Sequence, residues 1–440
     1  MKGLLFTYLL CYGGSIVSLI RPWYGLLIYV CFAIIRPEAM WPWSLSGGGQ
    51  FSRIIAIALL IGWGINGFGK WNLGNAKLPT VSLLLFWIWA AISTALSAQN
   101  LNVGINFLEA QGKILLPFLV GISLINSEKH VKQLAWVILL SQGYVAYSMN
   151  DSYFSGFNPL DSNVGTGSFG GMDNNCVAIA MVTGCGLAFF FGMHQKIWWR
   201  KWLAFILAGL MAHTIMFAFS RGGQLALVVT GATSFYLIDK QPKHFAFFLL
   251  AVALGLRMAG PEVRERFYTT FADQTERDAS AQSRVDMWKN CIDVMVTHPL
   301  LGVGPDHWPL IAHLYGWGRG KEAHTMWLQT GAELGVPGLL FLLSFYMSTM
   351  WMLYPVARRK IAYANEWDVS VARMMIASFV GFMFSAQFVS LEGLELPYYI
   401  CLIGAGTLKL LSSKKLAFQN QQLIAQLQNR NQALANANPH

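Results

Sequence analysis

WLAFILAGLMAHTIMFAFSRGGQLALVVTGATSFYLI, residues 202–238, carries one formal charge, Arg221, between two apolar runs. Each run approaches the ~20 residues that cross a bilayer as a helix. Gly222 and Gly223 let the backbone turn tightly, so the stretch reads as a helical hairpin with Arg221 at the membrane–water boundary. Left at mid-membrane, an arginine would cost roughly 3 kcal/mol unless it reached water or an anion. The plainer alternative is a turn arginine snorkelling to lipid headgroups.

Outward from this hairpin the pattern repeats. Apolar segments fall at 3–20, 22–36, 53–69, 79–97, 113–126, 131–149, 174–193, 243–258, 326–354, 371–391 and 395–411. Only 12% of the 440 residues are charged, against 55% hydrophobic and 14% aromatic, with a mean hydropathy of +0.45. A soluble domain uses about a quarter charged residues, so this chain cannot clothe a water-facing surface. The expected fold is an all-α polytopic membrane protein with about 12 transmembrane helices. Residues 1–415 form one multi-span domain and 416–440 a polar tail. The first two segments meet at Arg21-Pro22, and one of them is read as re-entrant or interfacial. No internal repeat of solenoid period is present.

The net charge of +10 does not indicate nucleic acid, because Lys and Arg sit in short clusters between apolar stretches. Lys70 and Lys77, Lys129 and Lys132, Lys196 with Arg200 and Lys201, Lys240 and Lys243, Arg358 to Lys360, and Lys409 with Lys414 and Lys415 mark alternate loops as cytoplasmic. Segment 150–173 has no Lys or Arg, and the 390–396 turn carries only Glu392 and Glu395. Those loops, the 220–223 turn and the long loop 259–325 therefore face the periplasm or exterior. The tail after Lys415 is cytoplasmic; Leu416, Leu423, Leu427 and Leu434 suit an amphipathic or coiled-coil tail, while a partly ordered polar extension fits its composition better. Of six cysteines, Cys11, Cys31, Cys176, Cys185 and Cys401 lie in apolar segments and Cys291 alone in a loop, with no disulfide or zinc spacing. The N-terminal run lacks a small-x-small cleavage site and reads as a retained first helix.

The long loop concentrates Arg264, Arg266, Arg277, Arg284, Lys289, Arg319 and Lys321 on the side where positive charge is normally sparse. An anion is the natural partner, and the planar guanidinium fork suits phosphate. Within it, Val285, Trp288, Ile292 and Met295 recur at helical spacing, reading as an amphipathic helix on the membrane surface, with Arg284 at its start. Gly302 and Gly304 then allow a sharp return. His324 lies where the loop re-enters the membrane; a neutral imidazole there can take a hydroxyl proton. A lone interfacial His without chemistry is the bland alternative. His194, His213, His244, His298, His307 and His313 are further candidates. Trp308, Trp317 and Trp327 can stack on sugars or anchor the interface, and the anchor reading is the stronger.

Arg284-x3-Trp288, then HPLLGVG at 298–304, then His324 and the LQxxxExGxxG pattern from Leu328 to Gly338, with the SRG turn at 220–222 before them, resemble the O-antigen ligase and polymerase superfamily. The likeness covers about residues 165–355; IRPEAMWPW near the N-terminus resembles exosortase-associated O-glycosylation ligases more loosely. The resemblance implies a GT-C-like inner-membrane transferase that needs no cofactor or metal. It implies a donor glycan on undecaprenyl diphosphate and an acceptor that is lipid A core or protein. Carried onto these residues, His324 is the general base and Arg221 and Arg284 hold the diphosphate. Arg264 and Arg266 share that role, and the configuration inverts. A polymerase and a protein O-oligosaccharyltransferase are alternatives within the superfamily. A transporter or flippase is the alternative outside it, although no two-fold repeat accompanies Arg221. A structural scaffold would need no Arg-Arg-His constellation at all.

Overall fold

The computed structural model describes residues 2–45, 50–160, 169–242, 244–246, 249, 253, 279–391 and 393–437. Its helices are α1 (Gly3–Ile20, with a π turn at Leu9–Gly13), α2 (Pro22–Ile35), α3 (Phe51–Ile65), α4 (Lys77–Leu96), α5 (Leu101–Leu124) and α6 (Glu128–Phe154). They continue as α7 (Asn174–His194), α8 (Trp198–Phe217), α9 (Arg221–Leu237), α10 (Ala279–Thr297), α11 (Met326–Ala357), α12 (Glu366–Ser385) and α13 (Glu395–Ala437). Among the described residues no strand forms, apart from one isolated Phe169–Met172 bridge. Eight helices there are long and apolar enough to cross a membrane. Most of the 243–258 segment, and Glu392, lie outside the described residues.

α12 and α7 make the centre. α12 starts with a reciprocal cap: the Asn365 side chain accepts from the Asp368 amide and the Asp368 carboxylate accepts from the Asn365 amide. Two of the amides every helix start leaves open are thereby satisfied. Both helices are apolar on all sides and buried on nearly all, as central helices must be. Small residues set their spacing. A Cβ on Gly186 of α7 would lie 2.6 Å from the Ser378 amide nitrogen of α12, so only glycine permits this approach. α8 and α9 pack on α7, and α11 on α12 and α4.

The two short N-terminal segments are both full helices. Pro22 opens α2, where a missing amide costs nothing. Gly25 abuts Ser18 and Gly14 abuts Ile28, so α1 and α2 form an antiparallel hairpin. The C-terminal segment also differs from expectation. α13 does not stop near Leu411; it stays helical through Ala437, and its residues from Gln419 to Gln432 are exposed.

The bundle has two unlike ends. At one, Lys409 Nζ donates to the carbonyls of Lys70 and Ile122 at 2.8 and 2.7 Å, closing the C-terminus of α5. Lys414 pairs there with Glu128 and Asp368, and Asp239 with Arg359 and Arg373. The other end carries residues 97–100, 298–325 and 386–391, and the candidate site.

Candidate functional site

The site is carried by a break in α11. Pro337 has no amide to donate to the Glu333 carbonyl, and Gly335 takes φ 68°, outside the helical range. The freed carbonyls of Ala332 and Glu333 accept from Val303 and Gly304 at 3.1 and 3.0 Å, while the Val336 amide donates to Pro299 at 2.8 Å. Residues 298–304 thus dock into the break. The fit leaves no room for side chains: a Cβ on Gly302 would lie 2.3 Å from the Glu333 carbonyl, and one on Gly335 2.2 Å from the Leu300 oxygen.

A second layer fixes the rest of the loop. Glu333, 2% exposed, accepts from the amides of Asp306 and Trp308 at 2.9 and 3.0 Å and from Gln329 Nε2 at 3.1 Å. Gln329 Oε1 accepts from the Ala323 amide at 3.1 Å, one residue before His324, and from Ser390 Oγ at 2.5 Å. His307 is fully enclosed; its Nδ1 donates to the Pro305 carbonyl and its Nε2 accepts from the Asn100 amide, at 2.8 and 3.0 Å. Sequence reading missed the roles of Gln329 and Glu333. Their signal was an amide and an acid four residues apart, on one helix face, in an otherwise apolar run.

His324 sits at the joint, two residues before α11, half-buried and in the left-handed backbone region at φ 53°. Burial first, then the cations of Lys321 and Arg284, lower its pKa to about 4, with Asp173 pulling the other way. Asp173 caps α7 by accepting from the Cys176 amide at 2.7 Å. The starts of α7, α10 and α11 therefore bring Asp173, Arg284 and His324 into one electrostatic neighbourhood. Arg221 opens α9 behind Ser220, whose hydroxyl accepts from the Gly223 amide at 3.2 Å. Gly222 lies against Phe388, where a Cβ would be 3.2 Å from Phe388 Cβ. The Phe388 ring is 6.4 Å from Trp288, one turn beyond Arg284. The Gly222 turn and the α10 ring Trp288 thus share Phe388 as a neighbour. Arg264, Arg266 and Arg277 lie outside the described residues.

Other expectations are revised. The packed stripe of α10 is Met287, Cys291 and Val294, with Ile292 left 42% exposed. α10 docks Cys291 and Val294 on Ile311, Ala323 and Ala332 and leaves Ile292 on its outer side. Cys291 is therefore a core residue. Trp308 is fully buried against Tyr315 and neither anchors nor stacks on ligand; Trp327 donates inward to the Met383 carbonyl at 3.2 Å. Among the remaining histidines, His213 bonds Asn150 at 2.6 Å within the bundle.

No curated protein matches the chain. A family model described as O-antigen ligase matches residues 206–343. Those residues contain the Arg221 turn, the α10 arginine, the docked loop, His324 and the break in α11, and over that stretch the chain is similar to the O-antigen ligases.

Proposed function

We propose that this integral membrane protein transfers a glycan en bloc from undecaprenyl diphosphate to a hydroxyl of lipid A core or protein. The supporting observation is a half-buried, uncharged His324 flanked by the cations of Arg284 and Lys321. In this reading the acceptor oxygen attacks the anomeric carbon and its proton passes to the His324 imidazole. The carbon–oxygen bond to phosphate breaks, and the lipid diphosphate leaves. Attack opposite the leaving group inverts the anomeric centre. The leaving group is already a good one, so the protein's task is to hold its charge. Arg284 and Arg221, joined by Arg264 and Arg266, do so without a metal. About 12 spans, with the Lys-rich end cytoplasmic, would set the site at the periplasmic face of the inner membrane.

The test is transfer by purified protein from a lipid-diphosphate glycan, offered lipid A core, a protein acceptor or a second lipid-linked glycan. One acceptor should yield product, in the presence of chelator. Product from the second lipid-linked glycan alone would make the protein a polymerase. His324→Ala should lower the rate by about 10²–10⁴-fold, the usual contribution of a positioned base. A His324→Ala protein as active as wild type would remove the assigned base, and a requirement for added divalent metal would remove the arginine mechanism.

A further inference from the structure

At the end of the bundle away from His324, the α1–α2 turn meets the α5–α6 turn around a cavity of about 420 Å³. Its lining includes Arg21, Trp23, Asn66, Asn126, Lys129 and His130, and no Asp or Glu. Trp23 and His130 stack as its floor, ring centroids 4.4 Å apart and 23° from parallel. Both rings are fixed from behind: Trp23 Nε1 donates to Gln133 Oε1 at 2.8 Å, and His130 Nδ1 lies 3.0 Å from the Leu124 carbonyl. An aromatic floor of this kind is built before any ligand arrives.

What sets the cavity apart is two cations beside an aromatic floor. Among the described residues, the Arg21 guanidinium and the Lys129 ammonium make no hydrogen bond or ion pair. Several other cations at this end are satisfied. Lys409 holds backbone carbonyls, Lys414 holds Glu128 and Asp368, and Arg359 and Arg373 share Asp239. Glu128 sits beside Lys129 in sequence, yet its Oε1 is taken by Lys414 and by Asn365 Nδ2. Two cations thus share one mouth without a counter-charge. That mouth opens beside apolar surface: Ile20 is 69% and Ile16 64% exposed on α1.

We propose that this cavity binds the headgroup of an anionic phospholipid. The phosphate lies between Arg21 and Lys129, the polar headgroup rests over the Trp23–His130 floor, and the acyl chains run along Ile20 and Ile16. Cations near a charged leaflet add affinity for anionic lipid, whereas a soluble phosphate would make no use of the apolar rim. The lipid would also fasten the α1–α2 hairpin to the α5–α6 pair, so stability would follow lipid charge through mass action.

Native mass spectrometry of the full-length protein, with phosphatidylglycerol or phosphatidylcholine added, reads the binding directly. Melting in discs of the two lipids reads its consequence. Phosphatidylglycerol should be retained preferentially and raise the melting temperature. Arg21→Gln and Lys129→Gln should each weaken retention about five-fold, the worth of one cation near an anionic surface. Lys415→Gln, an exposed charge at the same end but off the cavity, should leave retention unchanged. Should the glutamine variants fold poorly, the charge-preserving pair Arg21→Lys and Lys129→Arg should still retain the lipid. Equal retention of both lipids, or an equal loss in Lys415→Gln, would overturn the site. Stabilisation by dissolved glycerol phosphate matching that by lipid would overturn the lipid assignment.

Discussion

His324 carries three unusual properties at once: a left-handed backbone, partial burial and two cationic neighbours. A non-glycine residue with positive φ is uncommon, and the surrounding hydrogen bonds must hold it there. Because its pKa is lowered to about 4 from 6.5, the folded protein binds fewer protons at this ring than the unfolded chain between those pH values. Its contribution to stability is complete above pH 6.5 and declines as pH falls towards 4. The melting temperature of wild type should therefore fall more than that of His324→Gln between pH 7 and pH 5. Catalysis gives a sharper expectation under the proposed reaction. The acid limb of kcat/KM reports the free enzyme and should lie near pH 4, not 6.5. A bound diphosphate neutralises Arg284 and Lys321, so the acid limb of kcat should lie at higher pH than that of kcat/KM. Lys321→Gln should raise the kcat/KM limb as well; an unchanged profile would mean that Lys321 does not act on the ring. His324, Arg221 and Arg284 were singled out in the sequence through the resemblance to the O-antigen ligase and polymerase superfamily, since each taken alone fits an ordinary interfacial residue. Trp308 was misread, since an aromatic residue in a loop looks the same whether it faces lipid or fills a small core.

The broken α11 and its docked loop behave as one element. Gly302→Ala and Gly335→Ala each force a Cβ into a carbonyl at 2.2–2.3 Å, in backbone that only glycine adopts easily. Each should destabilise the protein by more than about 1 kcal/mol and abolish transfer, read by melting and activity together. Glu333→Gln is gentler in shape but turns an NH₂ group towards amides that need an acceptor. A loss of about 1–3 kcal/mol is expected, the cost of an unsatisfied buried group. Wild-type melting of Glu333→Gln would show that the loop is held by backbone contacts alone. The helices themselves were legible because hydropathy is a local signal. The docking was not, because it joins Gly302 to Glu333 and Gly304 to Ala98, and no periodicity links them. Which side of α10 packs inward was likewise decided by its tertiary neighbours.

Across the whole molecule, charge separates the two ends. The Lys-rich end is consolidated by Lys409 and Lys414, which tie α13 to α5, α6 and α12. If that end is cytoplasmic, a fluorescent protein fused after residue 437 should glow, and alkaline phosphatase inserted at Gly318–Gly320 should be active. The reverse pair of results would invert the assigned orientation. The sequence made this asymmetry readable through its lysines, but not the hairpin at Arg21-Pro22, whose sense depends on glycines meeting side chains across two helices. The break at Gly335 has a consequence for motion. The first nine residues of α11, Met326–Leu334, share their hydrogen bonds with residues 303–308 and 323, while the remainder of the helix belongs to the bundle. Amide exchange should accordingly divide this single helix in two, its early amides surrendering deuterium protection in concert with the loop and its later ones holding out until the whole protein unfolds.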